Sequence, residues 1–145
     1  MKEVKFMKMC VAGIVTKEET DANGVVHSKI LIGKKIEKEG HYLSNQWHIP
    51  GGHMLEGETE EQAVIREIKE ECNLDVQILE KIDERTFEDF SLSWYLCVLT
   101  PNGVGDERAG DDLQELKWVD KKDVCNACSH AAVSRWPDKL KLFFS

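Results

Sequence analysis

The sequence predicts an α/β domain in which a mixed β-sheet lies between helices. Three observations point there. Short runs rich in Val, Ile and Leu, separated by turn residues, recur along most of the chain and read as strands. A single central segment, Thr59–Cys72, opens with a helix start signal. Helical pattern returns only after Lys121, so the strands are flanked by one central and one terminal helix.

The elements follow in order. Met7–Thr16 and Val25–Ile36 read as strands joined through Asp21-Ala22-Asn23-Gly24, whose Asn-Gly pair tolerates positive φ and signals a hairpin. Gly40–Gly52 reads as a loop holding Trp47 and the rigid Pro50-Gly51-Gly52 turn. Thr59-Glu60-Glu61-Gln62 forms a capping box, in which Thr59 and Gln62 each satisfy a free backbone donor. Two further strands are expected over Val76–Phe87 and Ser91–Thr100, then a turn at Pro101-Asn102-Gly103. An acidic loop runs from Gly103 to Asp112, a last strand over Leu116–Val119, and helix over much of Lys121–Phe144, interrupted near Pro137.

The 145 residues suit one domain, and we expect a single domain over residues 1–145. At this size folding buries roughly 68–70% of the unfolded surface, so no disulfide or metal staple is required. Nineteen Lys and Arg against 27 Asp and Glu give a net charge of −8. Such a surface does not grip a nucleic-acid backbone, and a polyphosphate substrate would need a cation to mediate. Five scattered cysteines do not make a disulfide framework. Lys2, Lys5 and Lys8 precede an apolar stretch, Met9–Val15, that could be a short signal peptide. It runs into Thr16-Lys17-Glu18-Glu19 with no cleavage pattern, which favours a buried first strand. No stretch approaches the ~18 apolar residues of a membrane span. A cytoplasmic location without a membrane partner is expected.

The chemistry gathers on the central helix. At ~100° per residue, Glu67, Glu70 and Glu71 crowd one ~100° sector. Like charges so placed cost a helix ~0.2–0.5 kcal/mol per pair. A solvated acidic face is the bland account; a hard-cation site is the sharp one, since Mg²⁺ takes a few carboxylates with waters and substrate phosphates.

The residues ahead of the helix decide between them. From Gly52 the chain reads Gly, five residues, Glu58, seven residues, then Arg66-Glu67-Ile68-Lys69-Glu70-Glu71-Cys72-Asn73-Leu74. This resembles the Nudix box of the Nudix hydrolases. Six specified residues, each at roughly one in fifteen, give a chance match of about 10⁻⁷ per window. Asn73 replaces the usual glycine, and Asn is the best non-glycine residue for a left-handed helix terminus. Trp47-His48-Ile49-Pro50-Gly51-Gly52 is similar to the lead-in of MutT-like members.

The resemblance implies a Nudix-type α/β/α sandwich and assigns roles by position. Glu67, Glu70 and Glu71 match the family's metal-holding carboxylates, and Gly51 matches a residue whose carbonyl joins them. Glu58 and Arg66 match an internal ion pair. The implied cofactor is Mg²⁺, with Mn²⁺ as a substitute. Glu70 or Glu71 is the first choice of proton acceptor; Glu107, Asp111, Asp112 and Glu115 are candidates from the acidic loop. Leu31-Ile32-Gly33-Lys34 resembles a strand segment whose basic residue touches substrate phosphates, which points to Lys34, with Lys35 next. Trp47, Phe87 and Phe90 are candidate base-stacking rings, and His48 and His53 flank the Gly-Gly turn.

The implied activity is hydrolysis of a nucleoside triphosphate to the monophosphate and pyrophosphate. The ADP-ribose subset places a proline where Asp89 stands, and the dinucleoside polyphosphate subset a tyrosine near Phe90-Ser91-Leu92. Hydrolysis of nucleoside diphosphates linked to another group, and nucleotide binding without cleavage, stay open. So does assembly as a homodimer. No stable nucleic-acid partner is expected. Cys125-x-x-Cys128 with His130 lacks a second pair at zinc-site spacing, so packing cysteines are the simpler account.

Overall fold

The computed structural model describes residues 7–101 and 106–145. Lys2 and Lys5, the expected turn beyond Pro101 and the start of the acidic loop lie outside the described residues. Seven strands form one sheet: β1 Lys8–Thr20, β2 Val26–Lys35, β3 Trp47–His48, β4 Gly51–His53, β5 Val76–Thr86, β6 Phe90–Leu99 and β7 Leu113–Asp120. The helices are α1 Glu60–Cys72, α2 Val124–Ala127, α3 His130–Val133 and α4 Asp138–Phe144. The main path runs β3-β2-β1-β6-β5, with β7 on β2 and β4 on β1. Among the described residues only β1 and β6 pair in parallel, so the sheet is mixed, as expected.

Strand alternation divides the core into two layers. Val11, Val15, Leu31, Tyr95 and Cys97 pack with Val64, Ile68 and Cys72 of α1. Ala12, Ile14, Ile30, Ile32 and Trp94 pack with Val124, Leu140 and Phe144 of the C-terminal helices and with Trp136 between two of them. The result is an α/β/α sandwich. Helix α1 sits close on β1 because Gly13 has no side chain; a Cβ there would stand 2.8 Å from Ile68 Cδ1.

One feature of the pairing positions the site. The far end of β1, Thr16–Thr20, pairs with β2, but Cys10–Ala12 pairs with β4 instead. Meanwhile Gly33 and Lys34 of β2 pair with β3. Strands β1 and β2 therefore diverge, and the segment from Trp47 to His53 fills the wedge. The expected loop at Gly40–Gly52 thus contains a short strand and the start of another.

Other boundaries differ for local reasons. In the first hairpin only Gly24 takes positive φ (79°), while the Asp21 carboxylate accepts N–H bonds from Asn23 and Val25. The expected single terminal helix is three short ones. Besides the break near Pro137, a second start arises at Ser129, whose hydroxyl accepts the Ala132 N–H. No helix among the described residues is long and apolar enough to cross a membrane.

Candidate active site

The capping box forms as expected. Thr59 Oγ accepts the Gln62 N–H at 3.1 Å, and Gln62 Oε1 accepts the Thr59 N–H at 3.0 Å. This start sets which face of α1 turns inward. The buried stripe holds Ala63, Val64, Ile68 and Cys72, and with them Glu67 and Glu71. Burying two carboxylates four residues apart costs free energy unless something compensates their charge.

Arg66 supplies part of the compensation. Its Nε and Nη2 donate to the two Glu58 oxygens at 2.7 and 2.9 Å, a bidentate pair. Nη1 donates to Glu67 at 2.9 Å and Glu70 at 3.1 Å, and Nη2 also to the His53 carbonyl at 3.0 Å. One guanidinium thus joins β4, the loop before the helix and the helix itself. The pairing with Arg66 holds Glu58 below its usual carboxylate range. Glu71 has no such partner: burial first, then the adjacent Glu67 charge, pushes its pKa up to about 9.

The acidic loop docks on the far end of α1. Asn73 closes the helix in the left-handed region, φ 59° and ψ 35°, as its identity implied. Its Nδ2 donates to the Asp106 carbonyl at 3.1 Å. Beyond it, the Arg108 N–H reaches the Cys72 carbonyl and the Gly110 N–H reaches the Glu71 carbonyl, both at 2.9 Å. Asp111 is thereby carried to the helix. Oxygens of Glu67, Glu70 and Asp111 lie within 4.8 Å of one another. Three convergent carboxylates suit a hard divalent cation. Glu71 lies beside Glu67 but outside that trio, and Asp111, foreseen as a proton acceptor, joins it.

Across the Gly51-Gly52 strand opens a cleft of about 610 Å³. Gly51, Gly52 and His53 line it, with Lys35, His41, Tyr42, Trp94, Asp112, Arg135 and Trp136 among others. The chain matches the NUDIX domain family over residues 10–140. It belongs to that family. The bis(5'-nucleosyl)-tetraphosphatase [asymmetrical] of Caenorhabditis elegans is 30% identical over 135 residues, covering 86% of this chain and 96% of that protein. An 8-oxo-dGTP diphosphatase of Proteus vulgaris is 30% identical over 94 residues, covering 60% and 82%. A solved NUDIX hydrolase from Nitrosomonas europaea shares the fold at TM-score 0.72 and 21% identity, covering 98% of this chain and 72% of that one.

Within this Nudix domain the expected substrate contacts do not all line the cleft. Neither Lys34 nor Trp47 lines the cleft; Lys35 does. Lys34 and Lys35 are neighbours on one strand, so their side chains leave on opposite faces of the sheet, and Lys34, paired with Trp47, is on the other side from Lys35. Lys35 is buried, with Nζ 3.5 Å from Asp112. The Trp47 ring is partly buried against the second core layer and lies under Lys117 Nζ at 4.3 Å. Phe90 lines the cleft and stacks on Phe87, ring centroids 4.5 Å apart. His53 is exposed, but His48 is buried. Burial pushes the His48 pKa down to about 4, and its Nδ1 faces the Ile49 carbonyl at 2.7 Å. Cys125, Cys128 and His130 form no ligand group among the described residues. His41, Tyr42 and Arg135 carried no signal in the sequence, because no local motif brings a loop and a distant helix together.

Proposed function

We propose that this Nudix domain is a Mg²⁺-dependent hydrolase that cuts nucleoside triphosphates to the monophosphate and pyrophosphate. The observation that carries the proposal is the convergence of Glu67, Glu70 and Asp111 beside a cleft lined by basic groups. Their oxygens, with the Gly51 carbonyl, would hold the cation, and the all-oxygen donor set fits Mg²⁺ or Mn²⁺. Bound Mg²⁺ neutralises phosphate oxygens and acidifies the attacking water.

The chain's own residues do the rest. Arg66 keeps Glu67 and Glu70 aimed together while Glu58 anchors Arg66 to the loop. Glu70, half exposed, is the proton acceptor beside the site, and Glu71, which burial holds in its protonated form, would accept a proton only once a bound cation had displaced its own. Lys35 offers a positive charge to the phosphate chain from within the cleft. In a chain of charge −8, the cleft concentrates Lys8, Lys35, Lys38 and Arg135 against only Asp89 and Asp112. That local excess favours an anionic substrate.

A second reading has support of its own. The similarity to the C. elegans tetraphosphatase runs over 86% of this chain and 96% of that protein, so dinucleoside polyphosphates belong in the assay. Turnover of nucleoside triphosphates, nucleotide sugars, ADP-ribose and dinucleoside tetraphosphates in ¹⁸O-labelled water, with products weighed, tests both. Monophosphate plus pyrophosphate is expected. A dominant diphosphate product, or cleavage of nucleotide sugars alone, overturns the triphosphate reading, and tight binding without cleavage makes the chain a nucleotide sensor.

A further inference from the structure

Arg135 lines the cleft, and among the described residues no carboxylate lies within salt-bridge reach of it. It is nevertheless fixed in place. Its Nη1 donates to the Ala131 carbonyl at 2.8 Å. Its guanidinium carbon lies 4.0 Å from the centre of the Tyr42 ring, which stacks in turn on His41 at 5.0 Å and 16°. The guanidinium is therefore held by one hydrogen bond and by the Tyr42 ring that it lies over. Nε and Nη2 have no hydrogen-bond partner among the described residues.

The other cleft cation with a defined partner behaves differently. Lys35 faces Asp112, so part of its charge is already answered within the protein. Arg66, outside the cleft, uses Nε, Nη1 and Nη2 on protein acceptors. A latch between the Tyr42 loop and the end of α3 would need only a cation over a ring, which Lys also supplies. A planar fork held rigid, with two adjacent donors left over, is suited to a pair of acceptor atoms.

We propose that Arg135 reads the substrate, donating from its free edge to a paired-acceptor face of the nucleotide. Two parts of a nucleotide present such a face: phosphate oxygens, and the O6/N7 edge of a 6-oxopurine. An adenine edge offers one acceptor beside a donor and fits the fork poorly. Tyr42 is the positioning residue that keeps the fork aligned. The inference rests on the nucleotide-hydrolase reading above.

Kinetics of the wild type, Arg135→Lys, Arg135→Met and Tyr42→Leu with GTP, ATP and inorganic tripolyphosphate test it. Both Arg135 variants should raise KM about ten- to a hundred-fold for the substrate the fork holds, with a smaller change in kcat. Tyr42→Leu, which leaves every donor in place, should raise KM part of the way. A similar rise for all three substrates assigns the fork to a phosphate; a rise for GTP alone assigns it to the 6-oxopurine edge. Unchanged KM for all three in both Arg135 variants, with a lowered melting temperature, means a structural latch and overturns the proposal. In that case wild-type turnover still stands, whereas a wild type that cuts no nucleotide removes the nucleotide reading itself. Should neither variant fold, the arginine Nε–H signals of the ¹⁵N-labelled wild type decide. Arg135 should shift on titration with GMP or inorganic pyrophosphate, and an unmoved signal overturns the assignment.

Discussion

Gly52 and Glu67 compete for the same space. A Cβ built on Gly52 would stand 2.6 Å from both the Glu67 carboxyl carbon and its Oε2. Strand β4 thus presses bare backbone against the carboxylate, and the glycine is required for closeness rather than for an unusual φ. Val11 explains the neighbouring glycine in the same way, since a Cβ on Gly51 would meet its carbonyl oxygen at 2.1 Å.

Gly52→Ala should therefore displace Glu67 from the carboxylate trio. Activity should fall at least about ten-fold, while the fold loses only the ~1–3 kcal/mol typical of a forced side-chain shift. Steady-state kinetics across a Mg²⁺ titration, paired with urea denaturation, checks this. Wild-type activity at limiting Mg²⁺ would show that Glu67 need not sit where it does.

Glu71 sets a pH dependence whose sign is opposite to the usual carboxylate. Its folded pKa, about 9, lies above the ordinary 4.5. Between those values the metal-free folded protein keeps a proton that the unfolded chain has lost, so this group's contribution lowers stability as pH rises through that window. His48 acts in the other direction over the lower part of that window. With its folded pKa depressed to about 4, it adds stability as pH climbs from there to about 6.5. Glu71→Gln removes only the first effect. In EDTA the variant should exceed the parent by at least about 1 kcal/mol at pH 8.5, with the gap closing toward pH 5. Denaturant melts at those two pH values decide the matter; equal stability of parent and variant at pH 8.5 refutes the assignment.

Helix α1 was legible because its signals are local. Thr59, Gln62 and Asn73 each act within four residues along the chain, and the box fixes Glu58, Arg66, Glu67 and Glu70 by spacing alone. The β-branched runs of β1 and β2 were legible for the same reason. Asp111 was not, as part of the trio, because its place depends on Gly110 bonding to Glu71 some forty residues away. That Lys35 and not Lys34 lines the cleft depends on which face of the sheet the cleft opens, and adjacent strand residues differ only in that. Arg135 meets Tyr42 because the C-terminal helices cover one face of the sheet, a contact that no motif encodes. Local rules therefore delivered half of the candidate site, and tertiary docking of two loops supplies the rest of it.

Asn73 tests the junction where those two kinds of information meet. Its left-handed backbone favours glycine, but its side chain also holds the Asp106 carbonyl. Asn73→Gly should be close to neutral in stability, relief of backbone strain offsetting one exposed hydrogen bond. Asn73→Val should cost about 1–2 kcal/mol more, since a β-branched residue resists positive φ. Thermal melts of both variants check the ranking. Equal stability of the two would mean that the backbone at this position is not left-handed in solution.

The acidic loop offers the sharpest contrast, because two adjacent aspartates do different work. Asp111 sits at φ 52°, a conformation Asn tolerates well, so Asp111→Asn changes charge without disturbing the backbone. It should weaken Mg²⁺ binding and lower activity about 10–100-fold, the range seen when a group supporting a metal site is lost. Asp112 faces Lys35 instead, 3.5 Å away, so Asp112→Asn should leave Mg²⁺ affinity nearly intact and act on substrate KM. Gly110→Ala separates position from charge. A Cβ at Gly110 would stand 2.7 Å from the Glu70 carbonyl oxygen, so the added methyl should lift the loop from α1 while every carboxylate stays in the sequence. It should reproduce the Asp111→Asn loss. Calorimetric titration of Mg²⁺ into the three variants, alongside kcat and KM, gives the comparison. Were Asp112→Asn to lose Mg²⁺ as Asp111→Asn does, or Gly110→Ala to bind it normally, the docked loop would not be what completes the cation site.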